Sequence, residues 1–221
     1  MPRARKDRPV LLGHRGARAV KSIPENTLAS FDQALADGCD GFEFDVRLSA
    51  DSIAVICHDQ QWKSVEIGRA LSAELSALPR LEQVLGLYHE RAFLDIELKV
   101  GGLEEITARL LRRFRPRRGF VVSSFLPEVL ATVHAQDATL PTGLICETKA
   151  ELRRWNRLPL ECVIPHHRLV DCGLIAEWKA AKKRILVWTV NSPGDMLRFR
   201  DWGVDGIISD DKRLLSRTLG L

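Results

Sequence analysis

Eight short runs of β-branched and aliphatic residues recur along this chain, with amphipathic helical stretches between them. The runs are Val10 to Gly13, the stretch from Gly41, Ala92 to Lys99, Phe120 to Ser124, Thr142 to Cys146, Cys162 to Pro165, Arg184 to Val190 and Asp205 to Ser209. Such alternation argues for βα units and a parallel sheet. Eight strands is the count at which that sheet closes as an α/β (β/α)8 TIM barrel. An open doubly wound sheet has the same local pattern, but the first βα loop lacks GxGxxG. At 221 residues the chain falls below the roughly 250 typical of the barrel, so insertions must be few. Residues 1–221 are expected to form one domain, with the motif-bearing core at 9–211.

The stretch Gly41 to Asp59 adds a hairpin to this pattern. Its first half has period two, with Glu43, Asp45 and Arg47 on one face and Phe42, Phe44 and Val46 on the other. Ser49 to Ser52 reads as a turn, and Ile53 to Cys57 as a returning strand that places His58 opposite Asp45. An irregular segment is expected after Asp59. Upstream, Pro24 and the polar residues after it suit a helix start, with Leu28, Phe31, Leu35 and Ala36 as the buried stripe.

The polar clusters fall where strands end: His14-Arg15, Glu43 and Asp45, Glu97 and Lys99, His166-His167, Trp188 to Asn191. In a barrel those ends gather at one mouth, the face where such enzymes do their chemistry. Three carboxylates without a cysteine form a hard oxygen site, suited to Mg²⁺, Ca²⁺ or Mn²⁺. Arg15 and Lys99 add positive charge, which beside a cation argues for a phosphate oxyanion. His14 and His58 provide a pair able to remove and donate protons near neutral pH. Trp188 reads equally as a pocket wall and as barrel packing.

Other features read as structure. His166-His167 suits the rim. Ser123-Ser124 lacks the glycines of a nucleophile elbow. The run RRFRPRR from Arg112 to Arg118 reads as a solvated helix end, since aromatic residues barely interleave it. Five cysteines, scattered without metal-ligand spacing, fit buried free thiols in a reducing compartment. No apolar h-region follows the basic start MPRARKDRPV, and no run reaches the roughly 18 apolar residues of a membrane helix. A cytoplasmic protein with a small-molecule substrate is expected, with neither a nucleic-acid partner nor stable membrane insertion. A net charge of +4 favours anionic ligands only mildly.

Taken in series, His14-Arg15-Gly16, Pro24 to Thr27, Glu43-Phe44-Asp45, His58-Asp59, Glu97-Leu98-Lys99, Trp188 to Asn191 and the Gly203 to Asp210 ending resemble the glycerophosphodiester phosphodiesterase family. The resemblance runs from about Gly13 to Asp210. It implies a barrel enzyme that hydrolyses glycerophosphodiesters to glycerol 3-phosphate and an alcohol with one divalent cation. Carried over residue by residue, Glu43, Asp45 and Glu97 would hold the metal and His14 and His58 would be the acid/base pair. Arg15 would grip the phosphate, with Lys99 close by. The family's mechanism implies attack by the glycerol 2-hydroxyl and opening of a cyclic phosphate by water. His58 would protonate the departing alcohol and His14 would take the nucleophile's proton, an order the residues do not distinguish from its reverse.

One departure bears on the substrate. Where the family continues past His58-Asp59 with an Arg-Thr-containing segment and a small inserted subdomain, this chain has Gln60-Gln61-Trp62-Lys63-Ser64 and about twenty residues before the next helix. The hairpin extension is therefore expected to carry a reduced insertion subdomain over a more open pocket, which leaves the headgroup undefined. A phospholipase-D-like or cyclising activity on lysophospholipids is the enzymatic alternative, and an anion- or nucleic-acid-binding barrel the non-enzymatic one.

Overall fold

In the computed structural model, which describes residues 8–220, β1 (Val10–Gly13) leads through a loop into α1 (Leu28–Ala36) and β2 (Gly41–Leu48). Thr27 caps α1: its side chain accepts from the Ser30 N–H while the Ser30 hydroxyl accepts from the Thr27 N–H. β3 (Ala54–Ile56) returns antiparallel on β2, and β4 (Gln61–Trp62) and β5 (Val65–Glu66) form a minimal hairpin before α2 (Leu81–Tyr88). Regular alternation follows: β6 (Phe93–Leu98), α3 (Glu104–Arg113), β7 (Phe120–Ser124), α4 (Pro127–Gln136) and β8 (Thr142–Cys146). The chain continues through α5 (Lys149–Leu152), β9 (Cys162–Pro165), α6 (Cys172–Ala180) and β10 (Arg184–Val187). It finishes with α7 (Pro193–Asp201), β11 (Gly206–Ser209) and α8 (Lys212–Leu219).

β1 pairs in parallel with both β2 and β11, and β6 to β11 fill the gap in order, so the sheet closes. This is the expected (β/α)8 barrel. Between sheet and helices, Phe31 stacks on Phe42 at 4.2 Å and the Tyr88 ring meets Phe42 edge-on at 5.0 Å. Inside the barrel a second cluster, including Leu12, Phe93, Val121 and Leu186, fills the interior as layered side chains. The period of two along β2 therefore sends its aromatics outward to the helices and its acids inward.

Gly41 sits where β2 begins, paired with Phe93 on β6, and a Cβ there would lie 1.9 Å from the Phe93 carbonyl oxygen. Gly41→Ala is expected to destabilise the fold by about 1–3 kcal/mol. A urea midpoint equal to wild type would show that the two backbones can part without loss.

Five local expectations are corrected. Ala34, not Ala36, lies in the buried stripe of α1. At 3.6 residues per turn Ala34 is about 60° around the helix from Phe31, and Ala36 about 140°. The strand ending at Trp188 to Val190 stops at Val187; beyond it only a His166–Trp188 bridge and a Val190 N–H bond to the Ile208 carbonyl remain. The hairpin register places Cys57 rather than His58 opposite Asp45, since Val46 pairs with Ile56 and the Cys57 N–H donates to the Asp45 carbonyl. The segment after Asp59 is not merely irregular: with the β3 hairpin it closes a small core of Val55, Ile67, Ala70 and Leu75. All five cysteines are free, but only Cys39, Cys146 and Cys162 are buried; Cys57 is half-buried and Cys172 exposed. Residues 1–7 of the basic start lie outside the described part. No described helix is long and apolar enough to cross a membrane.

Candidate active site

Asp45 on β2 is the register partner of Glu97 on β6, and Glu43 that of Asp95, so parallel pairing sets the acids side by side. Glu43, Asp45 and Glu97 are buried and each offers a carboxylate oxygen within 4.8 Å of the others. Two cations hold this cluster. Lys99 Nζ lies 2.6 Å from Glu97 and 3.2 Å from Asp45, and Arg15 Nε lies 3.4 Å from Asp45. Arg15 also bonds Glu25 at 2.7 Å through its guanidinium, and its backbone N–H donates to Glu43 Oε2 at 2.9 Å. Asn26 Nδ2 donates to Asp45 Oδ2 at 2.8 Å. The other oxygen of Glu43, Oε1, is buried without a hydrogen-bond partner, so the cluster retains a lone-pair site that a hard cation can satisfy.

The acids titrate apart. Burial and the neighbouring Asp45 and Glu97 charges push Glu43 well above the ordinary carboxylate range. Burial, with Asp45 beside it and Lys99 opposing, lifts Glu97 to about 7. Burial would raise Asp45 too, but Lys99, Arg15 and the Asn26 hydrogen bond outweigh it and hold that carboxyl low. Asp95, fully enclosed and bonded by Ser123 Oγ at 2.5 Å, is raised to about 7 chiefly by burial.

Each histidine rests on a carboxylate through Nδ1. His14 meets Asp210 Oδ1 at 2.7 Å and His58 meets Asp59 Oδ1 at 2.7 Å. A carboxylate only accepts, so Nδ1–H donates in both pairs and Nε2 is left free for proton transfer. Nε2 of His14 lies 3.8 Å from Glu43 Oε2. Burial lowers the pKa of His58, against the opposing pull of Asp59 and Asp45. Asp210 is held at about 2 although burial would raise it, because His14, Asn191 and Arg18 all favour its ionised form.

These side chains share a cavity of about 280 Å³, divided by strand. The arc from β1 to β6 contributes His14, Arg15, Glu43, Glu97 and Lys99, with His58 beside it. The arc from β7 to β11 contributes Phe125, Ile145, Ile164, Trp188 and Ile208, with Glu147 its only charged member. Trp188 is thus both wall and packing: it lines the cavity while its indole N–H donates to the Ile164 carbonyl at 3.0 Å. His166 is no part of this lining, and instead meets the Trp188 ring edge-on at 5.2 Å. Ser123 and Ser124 are fully buried, bonded to Asp95 and the Leu98 carbonyl. Along RRFRPRR, Arg113 pairs with Glu82 and Arg117 with Glu90 at the surface. Asp210, Asn26 and Glu25 were present in the quoted motifs, but their roles as partners of His14, Asp45 and Arg15 emerge only from the fold.

A closed parallel barrel with paired acids, counter-cations and two carboxylate-braced histidines at its mouth is an enzyme of the barrel class, built for a charged substrate. The sequence profile of the Glycerophosphoryl diester phosphodiesterase family matches residues 14–83 and 68–214, and the chain belongs to that family. A glycerophosphodiester phosphodiesterase of Caldanaerobacter subterraneus is 28% identical over 235 residues, covering 93% of this chain and 96% of the relative. Among solved structures, an Oleispira antarctica phosphodiesterase in complex with the product sn-glycerol-3-phosphate superposes with a TM-score of 0.82 at 26% identity, covering 96% of each chain. The Silicibacter pomeroyi structure, at 24% identity and a TM-score of 0.84 over 96% of this chain and 93% of that one, shares the fold.

Proposed function

We propose that this chain hydrolyses glycerophosphodiesters to glycerol 3-phosphate and an alcohol. The reading rests on one observation above all: two histidines braced through Nδ1 share a cavity with the Glu43, Asp45 and Glu97 cluster. Those three acids would hold one divalent cation, and the orphaned Glu43 Oε1 fits that role. When bound, such a cation neutralises phosphoryl charge and lowers the pKa of an attacking hydroxyl. Arg15 and Lys99 orient the phosphate and offset its charge. His14, beside Glu43, takes the proton of the glycerol 2-hydroxyl as its oxygen forms the new bond to phosphorus. His58 gives a proton to the alcohol oxygen as its bond to phosphorus breaks. Water then opens the cyclic phosphate with the roles reversed, so no proton is gained or lost by the enzyme.

The test is a diester panel assayed with Mg²⁺, Ca²⁺, Mn²⁺ or a chelator. Release of glycerol 3-phosphate with at least one cation, and its loss with the chelator, is the expected result. Accumulating cyclic phosphate, or turnover confined to lysophospholipids, would favour the cyclising or phospholipase-D-like activity instead.

A further inference from the structure

A second cleft, of about 550 Å³, lies in the outer layer of the barrel and shares no lining residue with the catalytic cavity. One wall is α5 with the turn Trp155–Arg157 that follows it; the other is the turn His167–Leu169 with the start of α6. The floor is apolar. Leu152 and Val170 are buried, and Trp155 and Leu169, half-buried, pack against the main core. Three exposed cations line the same cleft: Lys149 and Arg153, four residues apart at the two ends of α5, and Arg168 from the other wall. Among the described residues none of the three has an ion pair or a side-chain hydrogen bond. The nearby acids are otherwise engaged. Asp171 Oδ1 caps α6 by accepting from the Leu174 N–H at 2.9 Å, and Glu151 accepts from the Glu147 and Thr148 N–H groups.

The cleft is polarised along its length. Lys149 and Arg168 each stand three residues beyond a strand, β8 and β9, so positive charge gathers at the end nearer the mouth. Glu177, the remaining acid of the lining, lies about 9 Å along α6 from its Asp171 cap, at the other end. Free cations call for a compact anion, and a phosphate monoester matches them. Trp155 and the leucines call for a flat or apolar group. Glu177 only accepts, so it calls for hydroxyl or N–H donors, and Asn156 can serve as either partner. A nucleoside monophosphate carries all three: phosphate, ring and ribose hydroxyls. A fatty acid would fill the floor and meet the cations but give Glu177 nothing to accept.

The turn that carries Arg168 and Leu169 also reaches the catalytic cavity. The His167 N–H donates to the Trp188 carbonyl at 2.6 Å, and the His166 ring meets the Trp188 ring edge-on at 5.2 Å. The Arg168 N–H in turn donates to His166 Nδ1 at 3.3 Å. Trp188 lines the catalytic cavity, so a ligand that pulls on Arg168 pulls on the support of that wall. We infer that the cleft is an effector site for a nucleoside monophosphate, coupled to the catalytic cavity through this turn. The coupling rests on the diesterase reading; the binding does not.

Calorimetric titration with AMP, inorganic phosphate and adenosine tests the site, on wild type and on the double variant Lys149→Ala, Arg153→Ala. Both replaced side chains are exposed and lie off the turn. AMP is expected to bind wild type about tenfold tighter than either fragment, and the double variant about tenfold more weakly. At three times its wild-type Kd, AMP should shift the KM for a glycerophosphodiester about two- to threefold in wild type and hardly at all in the variant. No binding, phosphate binding as tightly as AMP, or AMP binding undiminished in the variant overturns the site. Binding with no shift in KM overturns the effector role, and a shift that persists in the variant places AMP in the catalytic cavity and does the same. Turnover of no diester under any cation removes the diesterase reading and the effector role with it, while the titration still decides the site.

Discussion

With His14 or His58 replaced by alanine, turnover of a glycerophosphodiester is expected to fall by about 10²–10⁴-fold, the usual contribution of a positioned acid or base. The two variants should not behave alike. His14 Nε2 lies 3.8 Å from Glu43, where an attacking hydroxyl would be polarised, and the proposed mechanism gives it the role of base. In that mechanism His58 would be the acid, and an acid matters less as the leaving alcohol becomes easier to expel. Against a nitrophenyl diester, His58→Ala should recover most of its rate while His14→Ala stays slow. Recovery of His14→Ala alone would reverse the assignment. Wild-type hydrolysis of ordinary diesters by both variants would remove the histidines from the mechanism.

Removing the cation, or protonating its site, is expected to be as damaging. A carboxylate must be ionised to ligate, so protons on Glu97, raised to about 7, and on Glu43, which burial also raises, compete with the metal. Cation affinity should therefore rise with pH from about 4.5 to about 7 as Glu97 loses its proton, by up to about tenfold per unit for that proton. Asp45, held low by Lys99 and Arg15, contributes no such proton. For the metal-free fold the sign is opposite. The folded chain retains a proton on Glu97 that the unfolded chain loses above about 4.5, so this group stabilises the fold at acid pH and loses that effect as pH rises through about 7. Asp210, depressed to about 2, stabilises above its ordinary value of 3.8 and loses that effect as pH falls. Calorimetry in buffers of different ionisation enthalpy reads the proton release directly. An affinity independent of pH, with no protons released near pH 6, would exclude these acids as the ligands.

The barrel and the acids were legible because both are local patterns. Period two along Phe42 to Arg47 separates the faces, and a parallel strand beside it brings Glu97 level with Asp45. What escaped was set by partners distant in the chain or by one residue of register. Asp210 lies 196 positions from His14, and nothing near either residue announces their bond. The turn between β2 and β3 decides whether Cys57 or His58 faces Asp45, and hydrophobic alternation alone cannot count its residues.

The small core of Val55, Ile67, Ala70 and Leu75 beneath the β4–β5 hairpin has a different consequence. These residues pack chiefly on one another and on Ile53, Cys57, Trp62, Val65 and Leu78, in a cluster distinct from the barrel's two. The chain between Asp59 and Arg80 is thus held against β3 and its turn, by the shared core with Val55, the Val55–Arg80 bridge and hydrogen bonds from Ser72 to Asp51. Grafting a longer or shorter module between those two anchor points becomes a route to new specificities, because the Glu43, Asp45 and Glu97 cluster sits on strands that the exchange leaves in place.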